Sequence, residues 1–145
     1  MALTTTDKYA GNPVSTVKAN NKGVTLVNAD STTLKDIFIA GANGSIIKNI
    51  SACTTDTSTN NIQLYFHDGT TAYLVGTVPV VTLSGTNGVA TTVNLITVGT
   101  FPITKYDNAG NKCIALESGQ KLQVGVITAV TAAKTLTVVS FGEDY

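Results

Sequence analysis

Three dipeptides constrain this chain more than any other feature: Asn43-Gly44, Asp68-Gly69 and Asn87-Gly88. Each stands between short runs rich in valine, threonine and isoleucine. Asparagine, aspartate and glycine tolerate positive φ, which tight hairpin turns require. β-branched residues fit a pleated, half-buried surface better than a helix. Threonine is the commonest residue, and strong helix formers are scarce: one Met, two Glu and no Arg. The chain therefore reads as all-β. The expected strands begin with Val24–Val27, Leu34–Ala40 and Ile46–Cys53, the last two joined as a hairpin through Asn43-Gly44. Ile62–His67 and Ala72–Val81 follow, joined by Asp68-Gly69, with Pro79 marking an edge or an end. Asn87-Gly88 leads into an expected strand at Val89–Val98. Phe101-Pro102-Ile103 reads as a crossing, and Asp107–Asn111 as a turn. Cys113–Leu116 is a short strand, and Glu117–Gln120 a turn. Leu122, Val124 and Val126 alternate inward, Thr128–Lys134 is a loop, and Leu136–Phe141 closes the domain.

About eight or nine short strands at this spacing imply an antiparallel β-sandwich, jelly-roll-like if eight of them share two sheets. At 145 residues and 15.0 kDa the chain is one domain long. Met1–Lys22 is polar, contains Tyr9 and Pro13, and lacks a sustained apolar period. It reads as an extended N-terminal arm, with the sandwich over residues 23–145.

Charge narrows function. Lys and Arg together number 9, all lysine, against 9 Asp and Glu, so the net charge is zero. A nucleic-acid partner is not expected, because a basic footprint and arginine forks are missing. No apolar run approaches the ~20 residues that span a bilayer, so no membrane partner is expected either. The start has no basic region leading into an apolar stretch, which argues against a signal peptide. Cys53 and Cys113 are too few for a disulfide framework and read as free thiols.

Catalytic readings are weak. His67 is the lone histidine, beside Asp68. Hydrolytic use needs a nucleophile and an orienting acid; zinc needs three or four ligands. Asp56, Asp68, Asp107, Asp144, Glu117 and Glu143 could supply a carboxylate pair or calcium oxygens, but they lie in separate turns. Asp68 and Asp107 are explained by turn chemistry. Gly41–Ser45 lacks the lysine and the following helix of a phosphate loop. The sequons at Asn43 and Asn49 need a secretory route. The expectation is no enzyme, no metal and no cofactor.

Tyr65 and Tyr73 flank the Asp68-Gly69 turn and read as a cross-strand aromatic pair or an interface. With His67, and with Tyr9 and Pro13 of the arm, they are the candidate interface residues.

Two stretches resemble small tailed-bacteriophage virion proteins. One is Ile62–Val80 (IQLYFHDGTTAYLVGTVPV), a strand-turn-strand unit. The other is Leu116–Tyr145, where an L-x-x-G-x-x-L-x-V run precedes a Thr/Val strand and an acidic-aromatic end. Within that group the chain is most similar to capsid decoration (cement) proteins. The resemblance implies a β-rich homo-oligomer, commonly a trimer, bound to the major capsid protein on the virion surface. It carries no catalytic residues. A second expectation is a head-fibre or tail-fibre component in which Tyr65, His67 and the Thr54–Asn60 loop contact a host glycan.

Overall fold

The computed structural model describes residues 18–99 and 101–145. Ten strands appear among them: β1 Lys18–Val27, β2 Lys35–Ile39, β3 Ser45–Thr54, β4 Asn60–His67 and β5 Ala72–Val80, then β6 Val93–Asn94, β7 Thr104–Tyr106, β8 Lys112–Leu116, β9 Lys121–Val126 and β10 Thr135–Asp144. A 3-10 turn covers Asn28–Asp30, and a single α-helical turn, α1, covers Leu95–Val98.

The strands form two antiparallel sheets. One has the order β1-β10-β3-β8-β7, with β6 also alongside β3; the other has the order β2-β9-β4-β5. The pairs nest in the chain: β4 with β5, β3 with β8, β2 with β9, and β1 with β10. A long hairpin wrapped across two sheets in this way is a jelly roll. The all-β sandwich follows from the sequence as expected.

The core lies between the sheets. Leu122, Val124 and Val126 of β9 and Leu136 and Val138 of β10 point into it at every second residue. Phe38, Ile47, Ile50, Ile62 and Leu64 meet them, all fully buried. β3 holds its inward set through a bulge. Asn49 faces Phe141 but Ile47 faces Gly142, so Lys48 is the extra residue. Ser45 and Ile47 point inward before it, Ile50 and Ala52 after it. The added residue resets the alternation. Opposite it, Gly142 lies under the Phe38 ring. A Cβ there would sit 2.5 Å from the Ile46 carbonyl oxygen and 2.7 Å from a Phe38 ring carbon.

Three sequence expectations change. First, Lys18–Lys22 belong to β1, whose register runs unbroken from Val27 opposite Thr135 to Lys18 opposite Asp144. Asn20 helps hold that end, its amide donating to the Ile39 carbonyl (2.9 Å) and to Asp144 Oδ1 (2.8 Å). The rest of the expected arm, including Tyr9 and Pro13, lies outside the described residues. Second, Asn43-Gly44 turns the chain but does not make a hairpin. Gly44 has φ +88°, yet β2 and β3 sit in different sheets, because β2 pairs with β9 and β3 with β10 and β8. Third, Val89–Val98 is not a strand. Asn87 Oδ1 accepts from the Val89 and Ala90 amides at 2.9 and 3.1 Å, closing a side-chain turn. After two residues of β6, Asn94 Oδ1 accepts from the Ile96 (3.0 Å) and Thr97 (3.3 Å) amides and starts α1. One helical turn buries the adjacent Leu95 and Ile96 together, which a strand would send to opposite faces.

Candidate functional site

Of the expected interface residues, Tyr65, His67 and Tyr73 sit on the β4–β5 hairpin. Its turn is built by the pair that a catalytic reading would have used. Asp68 Oδ1 accepts from the Thr70 and Thr71 amides, both at 2.8 Å. Those bonds hold its carboxyl below the usual carboxylate range. His67 Nδ1 accepts from the Gly69 amide at 3.0 Å, which places the proton of the neutral ring on Nε2. Gly69 has φ +106°, a conformation L side chains rarely adopt.

The four-residue connection sets which side chains face one another. His67 opposes Ala72, Phe66 opposes Tyr73, and Tyr65 opposes Leu74. Tyr65 and Tyr73 therefore point to opposite faces of the ribbon, and the expected aromatic pair does not form. Tyr65 lies on the outer face of the four-stranded sheet, in a row with Leu74, Gln123 and Asp36. His67 lies in the next row with Lys121 and Ile39. Asp36 joins the rows, accepting from Gln123 Nε2 (2.7 Å) and Lys121 Nζ (3.1 Å). Burial pushes its carboxyl up, but these donors outweigh that and hold it below the usual value.

The Thr54–Asn60 loop is elsewhere. It precedes β4, whereas His67 ends β4, roughly 23 Å away along the strand. Tyr65, His67 and that loop do not form one contact. The loop is instead a buried polar staple. Asp56, 1% exposed, accepts from the Thr131 amide (2.9 Å), the Ser58 amide (3.0 Å) and Asn60 Nδ2 (3.1 Å). Thr54 Oγ1 donates to Asn60 Oδ1 (2.9 Å) and accepts from the Asp56 amide (3.0 Å). Desolvation would raise the Asp56 carboxyl, but its hydrogen bonds win and hold it far below the ordinary carboxylate range.

The other aspartates are likewise engaged. Asp107 Oδ1 accepts from the Asn111 (2.8 Å) and Ala109 (2.9 Å) amides. Asp144 accepts from the Ser45 hydroxyl and the Asn20 amide. Asp30 pairs with Lys35 at 2.7 Å. Among the described residues, no three His, Cys, Asp or Glu side chains gather to hold a metal. Cys53 and Cys113 are both unbonded; burial, then the nearby Asp107 carboxylate, pushes the Cys113 thiol up. None of the described helices is long and apolar enough to cross a membrane.

The sequence reading missed a different surface. From Gly69 to Thr104, about a quarter of the chain, there is no charged residue. That stretch carries Tyr73, Leu74, Val81, Val89 and Val98, between 49% and 85% exposed. The missing charges were legible in the sequence; the exposure of these side chains was not.

The fold and these surfaces define a jelly-roll sandwich with structural carboxylates and a charge-free stretch of sequence that carries several exposed apolar side chains. No family model matches the chain, and no curated protein does. It is similar to a crystal structure of the Drosophila NLP core, described with pentamer formation and histone binding. The two share 12% identity over 87% of this chain and 95% of that one, with a TM-score of 0.42. A likeness of this degree bears on neither fold nor partners.

Proposed function

We propose that this chain is a structural protein of a phage virion. It binds the major capsid protein on the outside of the shell as a decoration protein, in the form of a homo-oligomer such as a trimer. The observation that carries this reading is the use made of the aspartates. Asp30, Asp36, Asp56, Asp68, Asp107 and Asp144 are all occupied by turns, strand ends and loop staples. Carboxylates used in this way suit a rigid structural module rather than a catalyst. The resemblance carried by Ile62–Val80 and Leu116–Tyr145 points the same way. The reading includes no enzymatic activity, cofactor, nucleic acid or membrane. The glycan-binding alternative loses support from geometry, since its three expected elements lie at two ends of β4.

Co-sedimentation with shells assembled from the capsid protein of the same genome tests the proposal. Saturable binding and a higher shell melting temperature are expected; a chain left wholly in the supernatant overturns the reading. Deleting residues 1–17, which leaves β1 whole, is expected to abolish binding while the far-ultraviolet circular dichroism stays that of a β protein. Undiminished binding would remove the arm from the mechanism.

A further inference from the structure

We infer that Asn87 is a self-modification site: in the folded chain its side-chain amide condenses with the Gly88 backbone nitrogen, loses ammonia and becomes aspartate or isoaspartate.

The chain holds two Asn-Gly dipeptides, Asn43-Gly44 and Asn87-Gly88, and one Asp-Gly, Asp68-Gly69. A following glycine carries no Cβ to shield the attacking nitrogen. Local sequence thus gives both asparagines the same reactivity, and the fold separates them. At Asn43 the nucleophile is tied. The Gly44 amide donates to the Gly41 carbonyl at 3.0 Å. Gly44 is also buried, and a Cβ on it would lie 2.9 Å from the Leu116 carbonyl oxygen. At Asp68 the Gly69 amide donates to His67 Nδ1 at 3.0 Å, and a carboxylate ionised at neutral pH resists attack. Asn87 has neither obstacle. No described residue accepts from the Gly88 amide. Asn87 and Gly88 are both exposed, and nothing lies within 4 Å of the place a Cβ on Gly88 would take.

The electrophile is prepared as well. Asn87 Oδ1 accepts from the Val89 amide at 2.9 Å and the Ala90 amide at 3.1 Å. Both donors face the oxygen on which charge collects when Cγ is attacked. Backbone amides placed in this way act as an oxyanion hole. Among the described residues, nothing donates to the Asn43 side-chain oxygen. The loop holds the arrangement in place. The Gly85 amide donates to the Ala90 carbonyl at 2.8 Å, and Thr86 Oγ1 to the Thr54 carbonyl at 2.9 Å.

Hydroxide takes the Gly88 amide proton, and the nitrogen forms a bond to Asn87 Cγ. The bond from Cγ to the side-chain nitrogen then breaks, and ammonia leaves with a proton from water. Water opens the resulting five-membered succinimide at one of its two carbonyls. Opening at one gives aspartate; opening at the other gives isoaspartate, which adds a methylene to the main chain. Either product places a carboxylate in the stretch from Gly69 to Thr104, which has no charged residue, and makes a chain of zero net charge negative.

Peptide mass mapping of the folded full chain, sampled over time in mildly alkaline buffer, tests this. Enzymatic carboxyl methylation reads the isoaspartate. The peptide holding Asn87 is expected to gain the mass difference between NH2 and OH at least about tenfold faster than the peptide holding Asn43. In concentrated urea the fold no longer distinguishes the two sites, and their rates are expected to converge. Asn87 is expected to react no more slowly folded than in urea. Equal rates at the two asparagines in the folded chain overturn the inference, as does an Asn87 that folding slows.

Discussion

Phe38→Ala is expected to destabilise the domain by about 4 kcal/mol, the usual size for emptying a buried aromatic site. Phe38 is fully buried, and its ring lies over Gly142 on the strand that links β1 to β3. Stabilities of whole domains are only about 5–15 kcal/mol, so the loss is a large share. At this chain length, about 3 °C is lost per kcal/mol, so a melting temperature lower by roughly 10 °C or more is expected. Gly142→Val is expected to act at the same place from the other side. Its Cβ meets the Ile46 carbonyl at 2.5 Å as well as the ring, so strand spacing itself must give. Overpacking of this kind costs about 1–3 kcal/mol and more where backbone is struck. Because the ring is one of two obstacles, the double variant should be less destabilised than the sum of the singles. Denaturant melts of the four proteins measure this; strict additivity would show that Phe38 and Gly142 do not share their space.

Asp56→Ala is expected to lower stability by about 3 kcal/mol, because it removes a buried, ionised acceptor that ties the Thr54–Asn60 loop to the segment at Thr131. The Thr131 amide, Ser58 amide and Asn60 side-chain amide all lose their acceptor. The pH dependence gives a sharper signature. The folded carboxyl lies far below the ordinary value of about 4 that the unfolded chain keeps. The unfolded state therefore binds the proton first as pH falls. The stabilisation from Asp56 is full above about pH 4 and is lost progressively below it, through the folded value. Asp56→Asn keeps the shape, removes the titration and should flatten this part of the acid limb. Urea melts at a series of pH values read the slope. An acid limb identical in wild type and Asp56→Asn would show that another group carries it.

How much could be read beforehand depended on distance along the chain. The β4–β5 hairpin was legible because Asp68, Gly69 and both strands are neighbours in sequence. β9 was legible because Leu122, Val124 and Val126 repeat every second residue. Asn43-Gly44 announced a positive φ but not a partner, and the partners of β2 and β3 come from the last third of the chain. Val89–Val98 has strong strand propensity, yet Asn94 and the burial of Leu95 and Ile96 outweigh it. The candidate site shows the same divide. Nothing local marks Asp56 as buried, because Thr131, which helps to bury it, lies 75 residues away. The Tyr65–Tyr73 pairing failed over a single residue of register, which flips a side chain to the opposite face.

The outermost nested pair has a mechanical consequence. Lys18 stands directly opposite Asp144, so a load applied through the two ends of the sandwich enters at the same corner. Antiparallel ladder bonds lie across the strands, so such a pull opens β1 from β10 one bond at a time instead of shearing the row at once. The sandwich is then weak when drawn apart by its own ends. It is stronger when the force enters through its flanks, where many contacts must give together.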